Sequence, residues 1–220
     1  MRMRRWLWSA GLLAVMGMSV GCTHSEEKQA RHQGEKVGEA VADKARFADQ
    51  VVLLNQEQIA LGQLALRKSN NPEVRRFAQD LIWDHQQTQA DLEALARTKA
   101  LSLAVLDLGW EQQPGVGGAG YEGAQKGIEK GSGKYDKKLD KQVNEFIEKR
   151  DQLAGLSGSE FDRAFLDEVR EDQKQGGKLV DEGLDKYRDD ATLAVFLSRT
   201  APVLNSHEQR AESLKGISGE

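Results

Sequence analysis

The sequence predicts an all-α protein, a four-helix bundle made of two antiparallel helical hairpins with an extra helix on a long glycine-rich crossover. Apolar residues recur at spacings of three, four and seven along four long stretches, which is the period of amphipathic helices. Short polar breaks at residues 70–72 and 188–190 divide the stretches into two pairs. Such short connections fold neighbouring helices antiparallel, so each pair is predicted to be a hairpin.

The first residues have the pattern of an export signal. Three arginines within residues 1–5 precede an apolar run at residues 6–18, which is shorter than the roughly 20 residues of a membrane span. Cys22 follows this run, and the chain has 1 cysteine, which cannot form an internal disulfide. The stretch SVGC at residues 19–22 resembles a bacterial lipobox, with Ser19 where leucine is usual. We therefore expect residues 1–21 to be a lipoprotein signal peptide and Cys22 to be lipidated, with ordinary signal cleavage as the alternative.

The residue after Cys22 bears on the predicted location. Thr23 stands where an inner-membrane retention signal would have aspartate. By resemblance to the Gram-negative sorting rule, this predicts an anchor at the periplasmic face of the outer membrane. The alternative is a soluble periplasmic protein.

The charge of the chain argues against a nucleic-acid partner. Its formal net charge is −4, from 31 Lys and Arg against 35 Asp and Glu. Removing residues 1–21 would take away arginines and no acidic residue, so the mature chain would be more acidic still. Nucleic-acid binders usually carry a basic patch, and no lysine or arginine cluster with interleaved aromatic residues is present.

The predicted domain begins after a polar segment. Residues 22–43 have no sustained apolar period, which predicts a tether that is helical at most toward its end. The bundle domain is predicted over residues 44–216. Asn71 is a favourable N-cap and Pro72 suits a first helical position, so together they predict the start of the second helix.

The crossover between the hairpins is predicted over residues 109–135. It is a glycine-rich flexible loop within the bundle domain, and it lacks the flanking strand and the GKS or GKT of a phosphate loop. A shorter amphipathic helix follows at residues 136–154. The stretch SEFD at residues 159–162 resembles a capping box and predicts the start of the third long helix.

A polar residue interrupts the apolar stripe of each long helix near its middle. Counting from the two turns places these residues at similar heights, within about 3 Å at 1.5 Å of rise per residue. Such a layer can share hydrogen bonds, or it can bind one divalent ion such as Fe, Mn, Cu or Zn. The predicted layer is Glu57, His85, Asp172 and His207, with Asp84 and Gln173 as their supporting neighbours.

Three stretches resemble a known family. They are EQIALGQLALRKSNNPEVRRFAQDLIWDH at 57–85, GLSGSEFDRAFLDEVREDQ at 155–173 and FLSRTAPVLNSHEQ at 196–209. Together they resemble the bacterial envelope family known as domain of unknown function 4142, over about residues 45–215. The resemblance implies a ferritin-like bundle in an outer-membrane or periplasmic protein, and it brings no established reaction.

The resemblance also implies an Asp-His pair on the second and the third long helix and a histidine on the fourth. This chain has Asp84-His85 and His207, but Asp172 is followed by Gln173 in place of the histidine. A metal site inherited from the family would therefore lack one imidazole. Either Asp172 replaces it as a ligand, or the layer is structural.

Two functions follow as alternatives. The first is a non-catalytic, lipid-anchored envelope protein that acts through a partner or in envelope stress tolerance, since no nucleophile–base arrangement is evident. The second is a single-metal-binding or redox bundle that uses the layer of Glu57, His85, Asp172 and His207. Gln173 distinguishes them, because a ligand-poor third helix favours the first. A third hypothesis is an assembly module whose helix at residues 136–154 docks a protein partner or a second copy.

Overall fold

A computed structural model describes residues 24–104, 106, 108 and 135–217, and every regular element in them is a helix. This confirms the prediction of an all-α helical bundle. None of these helices is long and apolar enough to cross a membrane. The predicted signal peptide, Cys22 and nearly all of the predicted glycine-rich loop lie outside the described residues. The helices are α1 (His24–Lys68), α2 (Pro72–Lys99), α3 (Tyr135–Gly155), α4 (Gly158–Lys186) and α5 (Ala191–Ile217).

The chain divides into two compact units, residues 1–39 and residues 40–220. The described part of the first unit belongs to α1, and its residues 31–39 are exposed. The segment that was predicted to be a tether is thus helical from His24, well before the apolar stripe begins at Phe47. Glutamate, lysine, glutamine and alanine dominate it, and these residues favour helix without needing an apolar face. Its role as a tether stays a prediction.

The turn between α1 and α2 forms as the sequence predicts. The side-chain oxygen of Asn71 accepts hydrogen bonds from the backbone N–H groups of Glu73 and Val74, at 2.9 and 3.5 Å. Pro72 occupies the first helical position, where its missing N–H has no consequence. These contacts satisfy donors that would otherwise be unpaired at the start of α2.

The turn between α4 and α5 is held by Asp190. Its carboxylate accepts hydrogen bonds from the hydroxyl of Thr192 at 3.0 Å and from the backbone N–H of Leu193 at 3.3 Å. The ammonium groups of Lys44 and Lys99 each lie 2.7 Å from the same carboxylate. Burial opposes ionisation, but these hydrogen bonds prevail and hold the pKa of Asp190 below its usual range. One buried charge therefore ties α1 and α2 to this turn.

The predicted capping box at the start of α4 is wrong. The N-cap is Ser157, which makes no side-chain capping bond, and the backbone N–H of Phe161 donates to its carbonyl at 3.3 Å. The helix starts at Gly158, before the predicted motif, and Gly158 has a φ of 58°, which glycine adopts without strain. Ser159 consequently lies inside the first turn and Asp162 just after it, and Oδ1 of Asp162 has no hydrogen-bond partner.

Glycines allow the helices to approach closely around the core. A Cβ added at Gly62 of α1 would lie 2.6 Å from Cγ1 of Ile82 and 3.0 Å from the carbonyl oxygen of Ala78, both on α2. A Cβ at Gly176 of α4 would lie 2.7 Å from Cδ2 of Leu54 on α1. The core therefore forms from large side chains set against these small ones; its largest fully buried members include Phe77, Phe161, Phe165, Leu61, Leu64 and Leu81.

Candidate functional site

His85 of α2 lies at the centre of the polar residues in the core. Its side chain is 1% exposed, with Nδ1 2.9 Å from Oδ1 of Asn55 and Nε2 3.0 Å from the amide nitrogen of Gln173. Since the amide nitrogen is a donor, Nε2 accepts and Nδ1–H donates to Asn55. Burial, together with the charge of the nearby His207, lowers the pKa of His85 to about 3. The hydrogen bond from Gln173 opposes this change and is outweighed. The imidazole is therefore neutral, and both of its nitrogens are bonded within the chain.

The hydrogen-bonded chain continues from His85 to α1 and back to α4. The amide nitrogen of Gln173 also donates to Oε1 of Gln58 at 2.9 Å. The amide nitrogen of Gln58 in turn donates to Oδ2 of Asp172, again at 2.9 Å. Asn55, His85, Gln173, Gln58 and Asp172 thus form one buried polar network that joins α1, α2 and α4.

Asp172 ends this network and is 9% exposed. Burial, together with the negative charge of Glu168, raises the pKa of Asp172 to about 7, although Lys149 and the bond from Gln58 oppose the rise. Glu57 is half-buried beside it. Burial, and then the charge of Asp172, raise the pKa of Glu57 well above its usual value. Both carboxyl groups therefore resist ionisation.

His207 of α5 packs against the other side of His85. The two rings are stacked, with centroids 5.8 Å apart and planes 27° apart, and the ring of Phe77 lies 5.8 Å from that of His207. Nε2 of His207 lies 3.0 Å from Oδ2 of Asp84, close to α2 but without hydrogen-bond geometry. Burial lowers the pKa of His207, and the carboxylate of Asp84 partly offsets this.

A cavity of about 510 Å³ opens between α1, α3 and α4. Glu57 and Asp172 lie in its wall, next to Glu168 and Lys149. The ammonium of Lys149 lies 2.6 Å from a carboxylate oxygen of Glu168. Apolar side chains complete the lining: Leu53, Leu54, Phe146 and Leu179.

The structure places the four residues of the predicted layer in two groups. His85 stacks on His207 in the core, whereas Glu57 and Asp172 line the cavity. In the part of the chain that the structure describes, no three His, Cys, Asp or Glu side chains are placed to hold a metal ion. His85 could become a ligand only by giving up Asn55 or Gln173, so this arrangement does not fit a metal ion at the layer. The metal site stays a prediction.

The predicted neighbours and two unpredicted residues complete the network. Asp84 contacts His207 and Gln173 contacts His85. Asn55 and Gln58 are 1% and 0% exposed. Neither belongs to the predicted layer, in which Glu57 represents this helix. A signal existed, because residues 51, 55, 58, 62 and 65 follow alternating spacings of four and three, and Glu57 lies off that stripe.

Comparison with known families gives a match over most of the chain. A family model described as "Domain of unknown function (DUF4142)" matches residues 28–214. No curated protein and no solved structure matches the chain. The matched residues include both hairpins and the whole polar network.

Proposed function

The chain belongs to the DUF4142 family, and on that premise we propose that it is a non-catalytic, lipid-anchored helical-bundle protein of the bacterial envelope. Its role would be interaction with a partner or envelope stress tolerance. The observation that carries the non-catalytic part is the bonding of His85, whose two ring nitrogens are occupied by Asn55 and Gln173. A general acid or base needs a free nitrogen within reach of substrate and a pKa near the working pH. His85 has neither, since its pKa is about 3.

The stacked partner of His85 supports the same conclusion. His207 is 3% exposed and is covered by Phe77 and by His85 itself. Among the described residues, no serine or threonine hydroxyl hydrogen-bonds to either imidazole, so neither ring is paired with such a nucleophile there. The polar residues of this core are suited to fixing how the helices pack.

A surface feature supports interaction with a partner. Trp83 of α2 is 65% exposed, although tryptophan is highly buried on average. Tryptophan is also enriched in protein–protein interfaces relative to the rest of the surface. The proposed partner is therefore a protein, and a variant at Trp83 would test whether this side chain contacts it.

The lipid anchor is supported by the sequence alone. Cys22 follows the apolar run and SVG, and an acyl chain inserts because each buried CH₂ contributes roughly 0.8 kcal/mol. The test is mass spectrometry of the chain expressed in a bacterium with an outer membrane. We expect the mature chain to start at a diacylglycerol-modified Cys22 and to fractionate with the outer membrane. The variant Cys22→Ala should lose the lipid, and an unmodified wild-type chain cleaved elsewhere would overturn the anchor.

A single-metal-binding or redox bundle is the second candidate function. The observation in its favour is the pair of stacked imidazoles beside the carboxylate of Asp84. Elemental analysis of the purified chain for Fe, Mn, Cu and Zn separates the candidates. Near-stoichiometric metal that disappears in the His85→Ala, His207→Ala double variant would favour this second function. If neither protein holds metal after reconstitution, the result would favour the first function, the non-catalytic envelope protein.

A further inference from the structure

We infer that the cavity between α1, α3 and α4 is a binding site for an aliphatic primary ammonium group, such as the end of a linear diamine. This goes beyond the proposed function, since it assigns a ligand class to a cavity that the proposed function does not use. Asp172 belongs both to the wall of this cavity and to the end of the polar network. The site is built from Glu57, Asp172 and Gln142, above an apolar surface. Three independent features of the cavity lead to this ligand.

The first feature is a set of hydrogen-bond acceptors that have no donor. The half-buried carboxyl group of Glu57 lies in the cavity wall, and no hydrogen bond or ion pair to it occurs among the described residues. Gln142, on α3, lines the same cavity, and its Oε1 is buried without a hydrogen-bond partner. A buried acceptor such as this Oε1 is costly unless a donor pairs with it. An ammonium group brings three donors and no acceptor.

The second feature is an excess of acidic over basic side chains. The carboxyl groups of the lining outnumber its cations, because Lys149 alone is basic and its ammonium is engaged by Glu168 at 2.6 Å. Among the described residues, no ion pair is made to Glu57 or to Asp172, although the charge of Lys149 acts on both. The carboxyl-bearing residues of the lining are Glu57, Glu145, Glu148, Glu168 and Asp172.

The third feature separates an organic cation from an inorganic one. Leu53, Leu54, Phe146 and Leu179 line the cavity beside the carboxyl groups. A methylene chain buries itself against such a surface while its charged end stays with the carboxylates. In the described residues no cluster of carboxylates and imidazoles is placed to hold a metal ion. A volume of about 510 Å³ also exceeds the needs of a single ion.

The raised pKa of Asp172 makes the predicted binding of an ammonium depend on pH. Asp172 is faced by Glu57 from α1, by Lys149 from α3 and by Glu168 on its own helix, and its pKa is raised to about 7. A bound ammonium would favour the ionised carboxylates and would release protons from them. Binding should therefore strengthen as the pH rises from 6 to 8.

The test is isothermal titration calorimetry of the full chain with 1,5-diaminopentane at pH 8. We expect saturable binding at one site and no binding of the neutral analogue 1,5-pentanediol. Glu57→Gln keeps the side-chain shape and should weaken binding at least about tenfold, the effect of losing roughly 1.4 kcal/mol. Glu182→Gln, at an exposed position of α4 outside the cavity, is the matched control and should leave binding unchanged.

A second variant is expected to bind the diamine more tightly, and loss of folding could not explain such a result. Lys149→Gln removes the one basic residue of the lining and should tighten binding several-fold, which no unfolded protein would do. The tripeptide Gly-Lys-Gly identifies the source of the ammonium: tighter binding than the diamine assigns it to a protein side chain, and weaker binding assigns it to a free amine. Absent binding of the diamine, equal binding of the diol, or an unchanged affinity in Glu57→Gln would each overturn the site.

Discussion

The imidazole of His85 stacks on that of His207 at 5.8 Å, so two titratable rings from α2 and α5 share one face in the core. Two imidazolium ions at this separation would repel each other. Burial separately disfavours the charged form of each ring. His85 avoids this repulsion because its ring is neutral and is hydrogen-bonded to Asn55 and Gln173. The pair is therefore a packing element that holds α5 against α2.

Nuclear magnetic resonance should find His85 neutral across the physiological range. Because burial lowers its pKa to about 3, its ¹⁵N shifts should stay constant from pH 8 down to pH 4.5. The shifts should also report a proton on Nδ1, which donates to Asn55. An Asn55→Ala variant would remove that acceptor and should change the Nδ1 shift. Titration of His85 near pH 6 in the wild type would contradict this description of the core.

Gln173→Leu should destabilise the fold by about 2–4 kcal/mol. The substitution preserves much of the volume but removes the amide that donates to both His85 and Gln58, and each buried acceptor left unpaired costs roughly 1–3 kcal/mol. Urea unfolding followed by circular dichroism measures the change. Gln175→Leu, at an exposed position two residues along α4, is the control and should shift stability by less than about 0.5 kcal/mol. Equal effects of the two variants would show that the network contributes little.

Asp172→Asn should make the fold less sensitive to alkaline pH. The pKa of Asp172 is about 7 in the folded chain and near 3.9 when unfolded, so the folded state binds the extra proton between these values. Stability contributed by the protonated group is present below about pH 4 and is lost as the pH rises through 7. The free energy of unfolding, measured by urea at pH 5 and pH 8, should fall less in the variant, by on the order of 1–3 kcal/mol.

Other groups also titrate between pH 5 and pH 8, and a control variant accounts for them. The raised pKa of Glu57 acts in the same direction as Asp172, so some decline should persist in the variant. Asp181→Asn, at an exposed position of α4, should reproduce the wild-type decline. If Asp172→Asn and Asp181→Asn lose the same stability between pH 5 and pH 8, Asp172 is ionised in the folded chain and the prediction is wrong.

Gly62→Ala and Gly177→Ala should have effects of opposite sign. A Cβ at Gly62 would meet Cγ1 of Ile82 at 2.6 Å and the backbone oxygen of Ala78 at 3.0 Å, so α1 and α2 would have to separate. We expect a loss of about 1–3 kcal/mol, as for other overpacked cores. A Cβ at Gly177 meets nothing within 4 Å, and alanine should stabilise α4 there by about 0.5–1 kcal/mol. Thermal melts of both variants provide the comparison, and destabilisation at both positions would contradict the helix spacing.

The sequence by itself determined the helical hairpins and the start of α2 after Asn71. Asn71 and Pro72 act within one turn of backbone, so their effect does not depend on the rest of the fold. The apolar stripes likewise indicate which stretches are helical and that His85 and His207 face inward, because periodicity is a property of each helix alone. Local rules were insufficient at α4, where the helix starts at Gly158, a residue with positive φ, and not at the predicted capping box.

Only the tertiary structure decided which polar residue of α1 meets His85. Adjacent helical residues differ by about 100° in direction, so the rotation of α1 about its axis decides whether Glu57 or the pair Asn55 and Gln58 faces His85. That rotation is set by packing from several helices, including the approach of Ile82 to Gly62. It leaves Asn55 and Gln58 facing the core and Glu57 lining the cavity, because amides can share hydrogen bonds there without the cost of burying a charge.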